Sequence, residues 1–243
     1  GNIVGSNIAN VLLILGVAAT LRPFVVERAA VVRDGSLVIV TALAFAAAAM
    51  TGVIDRWVGA LFVLGLAGYV LYTFRSDRAA DEAADAPAPP REEVENTSAL
   101  LDAVLIGVGL ALVVGGASYL VDGAVETARL FGVSEEVIGL SLVAVGTSLP
   151  ELATTIVAAV RRQSAIALGN VLGSNIYNTL GIGGIVALVQ PIPVSDEVRG
   201  FDVPVMVAVS VGLVIVAASG KRVMRWEGML LLGLYGIYLA MLT

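Results

Sequence analysis

Apolar runs long enough to cross a bilayer dominate the pattern of this chain, and the polar residues fall mostly between them. Runs of about 17–25 apolar residues are read as membrane-spanning helices. Eight candidates occur, at residues 1–21, 35–54, 57–74, 99–121, 136–160, 165–189, 201–219 and 226–242. The pattern predicts an all-α membrane protein. Between the third and fourth runs, Arg75 to Ser98 is rich in Asp, Glu, Ala and Pro and includes Ala86-Pro87-Ala88-Pro89-Pro90. Such a run cannot bury a core, so it predicts a flexible acidic linker over 75–98 between a three-span part, 1–74, and a five-span part, 99–243.

The fifth run breaks the apolar pattern in its middle. Pro150 and Glu151 stand side by side there, just after Gly146, Thr147 and Ser148. A carboxylate near the bilayer centre costs roughly 2.5–3.5 kcal/mol, so such residues face polar cavities and serve transported ions or protons. Ala144, Thr147, Ser148 and Glu151 are spaced i, i+3, i+4 and i+7, which places them on one helix face. Pro150 donates no N–H and its ring meets the carbonyl of Gly146, so a kink is expected that frees backbone oxygens. A line of hydroxyl, carboxylate and carbonyl oxygens suits hard cations such as Na⁺ and Ca²⁺. Broken helices at the midplane are also how secondary transporters build their sites.

A second pattern repeats. Aligned without gaps, Gly1 to Pro23 and Gly169 to Pro191 share Gly1, Asn2, Gly5, Ser6, Asn7, Ile8, Asn10, Leu12, Ile14, Gly16, Ala19 and Pro23. The copies are the first and sixth runs, so they cross the membrane in opposite directions, an arrangement found in transporters. Each offers Ser and Asn one turn apart, Ser6 with Asn10 and Ser174 with Asn178, on a face shared with Asn2 and Asn170. The pairs Gly1 and Gly5, and Gly169 and Gly173, form small-xxx-small patterns that predict close helix approach. Serving as helix glue alone, each polar residue would contribute about 0.6 kcal/mol.

Composition narrows the chemistry. The chain is 58% hydrophobic with a mean hydropathy of +0.94, well above soluble domains. Without Cys or His there is no disulfide framework, thiolate metal site or imidazole proton shuttle. Neither a phosphate-binding Gly-rich loop nor a nucleophile triad nor a nucleic-acid-binding surface is present, so no enzymatic activity and no cofactor are expected. Eleven Lys and Arg residues (Arg22, Arg28, Arg33, Arg75, Arg78, Arg91, Arg161, Arg162, Lys221, Arg222, Arg225) fall on one side and three (Arg56, Arg129, Arg199) on the other. The positive-inside rule then puts the acidic linker in the cytoplasm. Asp122 and Glu126, after the fourth run, read as a solvated helix end, and Ser134-Glu135-Glu136 as a helix start with acids in the first turn.

Gly-Thr-Ser-Leu-Pro-Glu (146–151) followed by Gly-Asn-x-x-Gly-Ser-Asn-Ile (169–176), with a second Gly-Asn-x-x-Gly-Ser-Asn-Ile at 1–8, resembles the α-repeat signature of the cation/Ca²⁺ antiporter superfamily. Within it the chain is most similar to the prokaryotic sodium/calcium exchangers. The resemblance implies an inverted-repeat exchanger fold of ten spans, of which eight are seen, and hence a chain incomplete at its N-terminal side. It implies antiport of Na⁺ against Ca²⁺ in a prokaryotic plasma membrane. The transported ions would be held by Ala144 (through its carbonyl), Thr147, Ser148, Glu151, Ser174, Asn178, Ser6 and Asn10. It also implies a sliding element over 99–121, whose Gly107, Gly109, Gly115 and Gly116 would smooth the surface. Asn178 stands where K⁺-dependent exchangers have Asp, which favours a K⁺-independent exchanger. A H⁺/Ca²⁺ or K⁺-dependent antiporter is the nearest alternative, and a non-transporting membrane scaffold or sensor the alternative of another class.

Overall fold

A computed structural model describes residues 1–26, 31–83, 99–219 and 222–242. In chain order its helices are α1 (Asn2–Leu21), α2 (Val31–Ala49), α3 (Arg56–Ala83), α4 (Ala99–Leu130), α5 (135–147), α6 (Leu149–Val160), α7 (Ser164–Val189), α8 (Val198–Ala218) and α9 (Arg225–Met241). Among the described residues, α1, α2, α4, α7, α8 and the Arg56–Ser76 part of α3 are each long and apolar enough to span a bilayer. The bent pair made of α5 and α6 adds a seventh span. The expected eighth run forms α9, which at 17 residues is about 25 Å long, short of a hydrocarbon core of about 30 Å.

Several boundaries differ from the apolar pattern. Helix α2 begins four residues earlier than its run and ends at Ala49, because Gly52 adopts φ +85° and turns the chain into Val53–Ile54. That left-handed conformation costs a glycine nothing. Helix α4 does not stop at 121 but continues through Asp122 and Glu126 to Leu130, where Gly132 (φ +76°) closes the turn. Helix α3 runs on through residues 75–83, so the start of the segment read as a linker is helical; residues 84–98 lie outside those described.

The order of elements occurs twice. Helix α1, strand β1 (Phe24–Val25), α2, strand β2 (Val53–Ile54) and α3 are matched by α7, strand β3 (Ile192–Pro193), α8, strand β4 (Arg222–Val223) and α9. The spacing that aligns Gly1 with Gly169 also aligns Asp34 with Asp202. Both are buried near the start of their helix and both accept a tyrosine hydroxyl, Tyr69 to Asp34 at 3.2 Å and Tyr238 to Asp202 at 2.9 Å. The strands pair across the copies: β1 with β4 and β2 with β3, both antiparallel.

The two ribbons lie at opposite ends of the bundle. At the β1–β4 end, Arg22 donates to the Val160 carbonyl (3.2 Å) and Arg225 to that of Leu21 (3.5 Å). At the β2–β3 end, Arg56 donates to the Val189 carbonyl (3.4 Å). The described members of the larger basic group therefore gather at one end.

The core forms around α1 and α7. Ile8, Ile14 and Leu15 of α1 and Leu172 and Ile176 of α7 are fully enclosed. Helix α4 is the opposite case, with none of its apolar window buried. A Cβ at Gly107, Gly109, Gly115 or Gly116 would meet nothing within 4 Å, so these glycines mediate no contact among the described residues. Val121 is the close point: its side chain occupies the space a Cβ on Gly146 would need. The small-xxx-small expectation holds at Gly5 alone, where a Cβ would come within 2.6 Å of the Leu140 carbonyl and 2.8 Å of the Ala144 Cβ. At Gly169 and Gly173 nothing lies within 4 Å, because no described helix packs on that face of α7 as α5 packs on α1.

Candidate functional site

The break between α5 and α6 is the origin of the site. The two helices bend by 52° at Ser148, whose φ and ψ are −95° and 3°. Pro150 sits in the first turn of α6, where its missing N–H costs nothing. The carbonyl set free is not that of Gly146, which the cap N–H groups engage together with that of Val145. It is Ala144's: the Ser148 N–H that a continuing helix would send there goes to Val145 instead, at 3.0 Å.

That carbonyl collects hydroxyls from both repeats. Ser6 donates to it at 3.4 Å and Thr147 at 3.1 Å. The Ser6 and Thr147 hydroxyls lie 3.1 Å apart, and the Asn2 amide oxygen accepts from each, at 3.5 and 3.4 Å. Four oxygens from α1 and α5 thus converge at the break. Beside them, a cavity of about 380 Å³ between α4 and the bent pair is lined by Ser118, Asp122, Gly146, Thr147 and Pro150. Asp122, read from the sequence as a solvated helix end, is exposed but lies within α4 and lines this cavity.

A second layer lies where α1 and α7 cross. Asn178 donates to the Asn7 oxygen at 3.2 Å, and Asn10 donates to the Asn175 oxygen at 3.1 Å. The later Asn of each helix meets the earlier Asn of the other, as two antiparallel helices require. Both helices widen here into π-type winding, over Asn10–Leu15 and Tyr177–Ile182. Such winding is frequent at functional sites. The Asn7 amide also donates to Thr179 (2.9 Å) and to the Met206 sulfur (3.5 Å).

Glu151 is held through its backbone rather than its side chain. Asn170 donates to the Glu151 carbonyl at 3.0 Å and to the Thr155 hydroxyl at 2.8 Å, tying α7 to α6. The Glu151 Oε2 is buried and accepts no hydrogen bond among the described residues; the same is true of Asn10 Oδ1. An unmet buried acceptor costs about 1–3 kcal/mol, more when charged, unless something else fills it.

Of the eight residues expected from sequence, Ser6, Ala144 and Thr147 share one network, and Asn10 and Asn178 each join an amide pair. Ser148 is buried at the break itself. No hydrogen bond among the described residues joins Ser174 to either layer. The expected set lacked Asn2, Asn7, Asn170 and Asn175. A signal for all four was present, since each is identical between the two copies, and Asn7 and Asn175 stand one turn before Asn10 and Asn178. No group of three or more acidic side chains occurs among the described residues, so the site rests on neutral oxygens and one carboxylate.

Residues 1–75 and 101–243 match the family model for sodium/calcium exchanger proteins. The chain belongs to the sodium/calcium exchanger family. Among its relatives, sodium/calcium exchanger MaX1 of Methanosarcina acetivorans is 34% identical over 100% of this chain and 79% of its own length. Inner membrane protein YrbG of Escherichia coli is 33% identical over 100% of this chain and 76% of its own. A solved structure of the sodium-calcium exchanger NCX_Mj, soaked with Na⁺ and Sr²⁺, superposes with a TM-score of 0.76 at 31% identity. That match covers 99% of this chain and 75% of the other. The fold is thus the exchanger fold, and the protein is an integral, multi-pass membrane protein.

Proposed function

We propose that the protein is a secondary active antiporter that exchanges Na⁺ for Ca²⁺ by alternating access, in a prokaryotic plasma membrane with the acidic segment 75–98 in the cytoplasm. One observation carries the reading: among the described residues the Glu151 Oε2 and Asn10 Oδ1 are buried without hydrogen-bond partners, close in sequence to a convergence of hydroxyl and carbonyl oxygens at a broken helix. Carboxylate, amide, hydroxyl and carbonyl oxygens are the ligand types that a hard cation takes. The ligand set we assign is Glu151, Thr147, Ser148, the Ala144 carbonyl, Ser6, Asn10, Ser174 and Asn178.

Competition for these oxygens gives the exchange. One carboxylate is neutralised by one Na⁺; with the second carboxylate that the family resemblance implies, the site matches one Ca²⁺ or two Na⁺. An empty site would carry uncompensated charge through a low-dielectric barrier, so return without an ion is slow. The exposed, loosely packed α4 is suited to slide over the bent pair, and its contact of Val121 on Gly146 would be the sliding surface.

Radiolabelled Ca²⁺ uptake into Na⁺-loaded proteoliposomes tests the proposal. Uptake that follows the Na⁺ gradient and disappears in Glu151→Gln is the expected result. Uptake driven by a H⁺ gradient alone would replace Na⁺ by H⁺ as the counter-ion, and a K⁺ requirement would make the exchanger K⁺-dependent. No uptake under any gradient would favour a scaffold or sensor.

A further inference from the structure

The crossing of α1 and α7 contains a reciprocal arrangement that the ion-ligand reading does not use. In each copy the Asn that follows the Gly-Ser pair, Asn7 or Asn175, accepts a hydrogen bond from the opposite copy's second Asn: Asn178 to Asn7 and Asn10 to Asn175. A carboxamide has one oxygen and one NH₂ at opposite corners. Fixing the NH₂ of Asn10 on Asn175 therefore turns the Asn10 oxygen away from Asn175, and the same holds for Asn178 on Asn7. The Asn10 oxygen that results is buried and without a partner.

We infer that Asn7 and Asn175 are positioning residues, each aiming the amide oxygen of the opposite repeat's Asn at the transported cation. The inference rests on the exchanger reading above. Neither Asn7 nor Asn175 touches the ion; each acts by denying its partner the alternative amide orientation, in which an NH₂ would face a positive charge. Because every such bond crosses between repeats, an ion that pulls on Asn10 also pulls on Asn175 and hence on α7. The same bonds thus couple occupancy in one repeat to the position of the other. The Asn175 half has more freedom than the Asn7 half. Asn7 is further fixed by Thr179 and Met206, whereas the Asn175 NH₂ is buried without a hydrogen-bond partner among the described residues.

Two substitutions at 175 separate positioning from packing. Asn175→Asp keeps an acceptor for the Asn10 NH₂, whereas Asn175→Leu keeps the volume and removes the acceptor. Apparent Na⁺ and Ca²⁺ affinities and maximal rates would be measured in proteoliposomes, with melting temperature and monodispersity in detergent as the folding control. Asn175→Leu is expected to weaken both apparent affinities by about tenfold, the usual scale for losing an outer partner of a metal ligand, with the maximal rate less affected. Asn175→Asp is expected to retain or strengthen them.

Equal affinities in Asn175→Leu and the parent chain would overturn the inference, as would an Asp variant weakened as much as the Leu variant. If both variants misfold, Asn7→Leu and Asn7→Asp supply the same contrast through Asn178. Glu151→Gln separates the levels: a parent chain that exchanges ions, lost in Glu151→Gln but insensitive at 175 and 7, sinks the positioning role alone. A parent chain with no exchange sinks the antiporter reading beneath it.

Discussion

The two copies of the Gly-Ser-Asn helix run antiparallel and share their winding and the strand that follows, yet their polar groups are satisfied unequally. In the first, the Asn7 amide donates to Thr179 and Met206 and its oxygen accepts from Asn178. In the second, the Asn175 oxygen accepts from Asn10, but its NH₂ has nothing to meet. The reason is readable from the repeat itself: Val11 and Val38 stand where the spacing places Thr179 and Met206. The copies also grip the break differently. Asn170 clamps the Glu151 backbone, while Asn2, its counterpart, accepts from Ser6 and Thr147 in the oxygen cluster. Symmetry thus sets the frame, and a few unmatched residues decide which amide of each copy is fully partnered.

The comparison can be broken most strongly at Glu151, whose backbone carbonyl the second copy clamps through Asn170. Glu151→Gln is expected to reduce Ca²⁺ exchange in proteoliposomes by about 100-fold or more, as removing one member of a buried charge pairing costs about 2–5 kcal/mol. Exchange within threefold of the parent chain would show that the Glu151 carboxylate is not part of the route.

The next effect separates two matched glycines. Gly5→Ala drives a Cβ against the Leu140 carbonyl and Ala144, so it should destabilise by about 1–3 kcal/mol and push Ser6 away from Thr147. Gly173→Ala has open space and should be neutral or slightly stabilising in the helix. Thermal unfolding in detergent reads both, and equal shifts would mean that the close approach at Gly5 is not formed.

A smaller contrast tests the amides themselves. Asn7→Leu strands Thr179 and Asn178 and should cost about 2 kcal/mol, whereas Asn175→Leu breaks one bond and removes an unmet NH₂, for about 1 kcal/mol or less. The order of the two melting temperatures decides it.

Outside the membrane the effect is smallest. Arg129 holds the Glu135 carboxyl below its usual range through hydrogen bonding and charge. A depressed carboxyl pKa contributes stability above the unfolded-state value, about 4.3, and loses it as pH falls through the lower folded value. The pair is fully exposed, so Glu135→Gln should leave melting at neutral pH and physiological salt nearly unchanged and only flatten its acid dependence. A large shift at pH 7 would show the turn after α4 to be more structured than its exposure indicates.

The spans and the break were legible because each has a strong local cause: apolar runs for the helices, and Pro150 with two hydroxyls for the bend. The shared face of Ala144 and Thr147 was legible from helical spacing, while the part of Ser6 and of the Ala144 carbonyl followed from the family resemblance. What the sequence concealed lacks such a period. Strands of two residues are too short to show alternation, so Val53–Ile54 read as a span end and Phe24–Val25 and Ile192–Pro193 as connections between spans. Which Asn of one helix meets which of the other depends on the crossing of α1 and α7, and no single-helix spacing contains that. Helix α4 passed its expected end because Asp122 was read as the start of solvent, whereas the helix continues through it to Leu130 and its neighbour Val121 packs on Gly146.

The two short ribbons have a mechanical consequence. Each joins one repeat to the other, β1 to β4 at one membrane face and β2 to β3 at the opposite face, so the six helices they connect are stitched at both surfaces. A frame fastened at top and bottom cannot part like a pair of jaws without unpicking one seam. Helices α4, α5 and α6 carry no stitch. In the antiporter proposed above, opposing access would then fall to the parts that hang on the frame rather than to the frame itself.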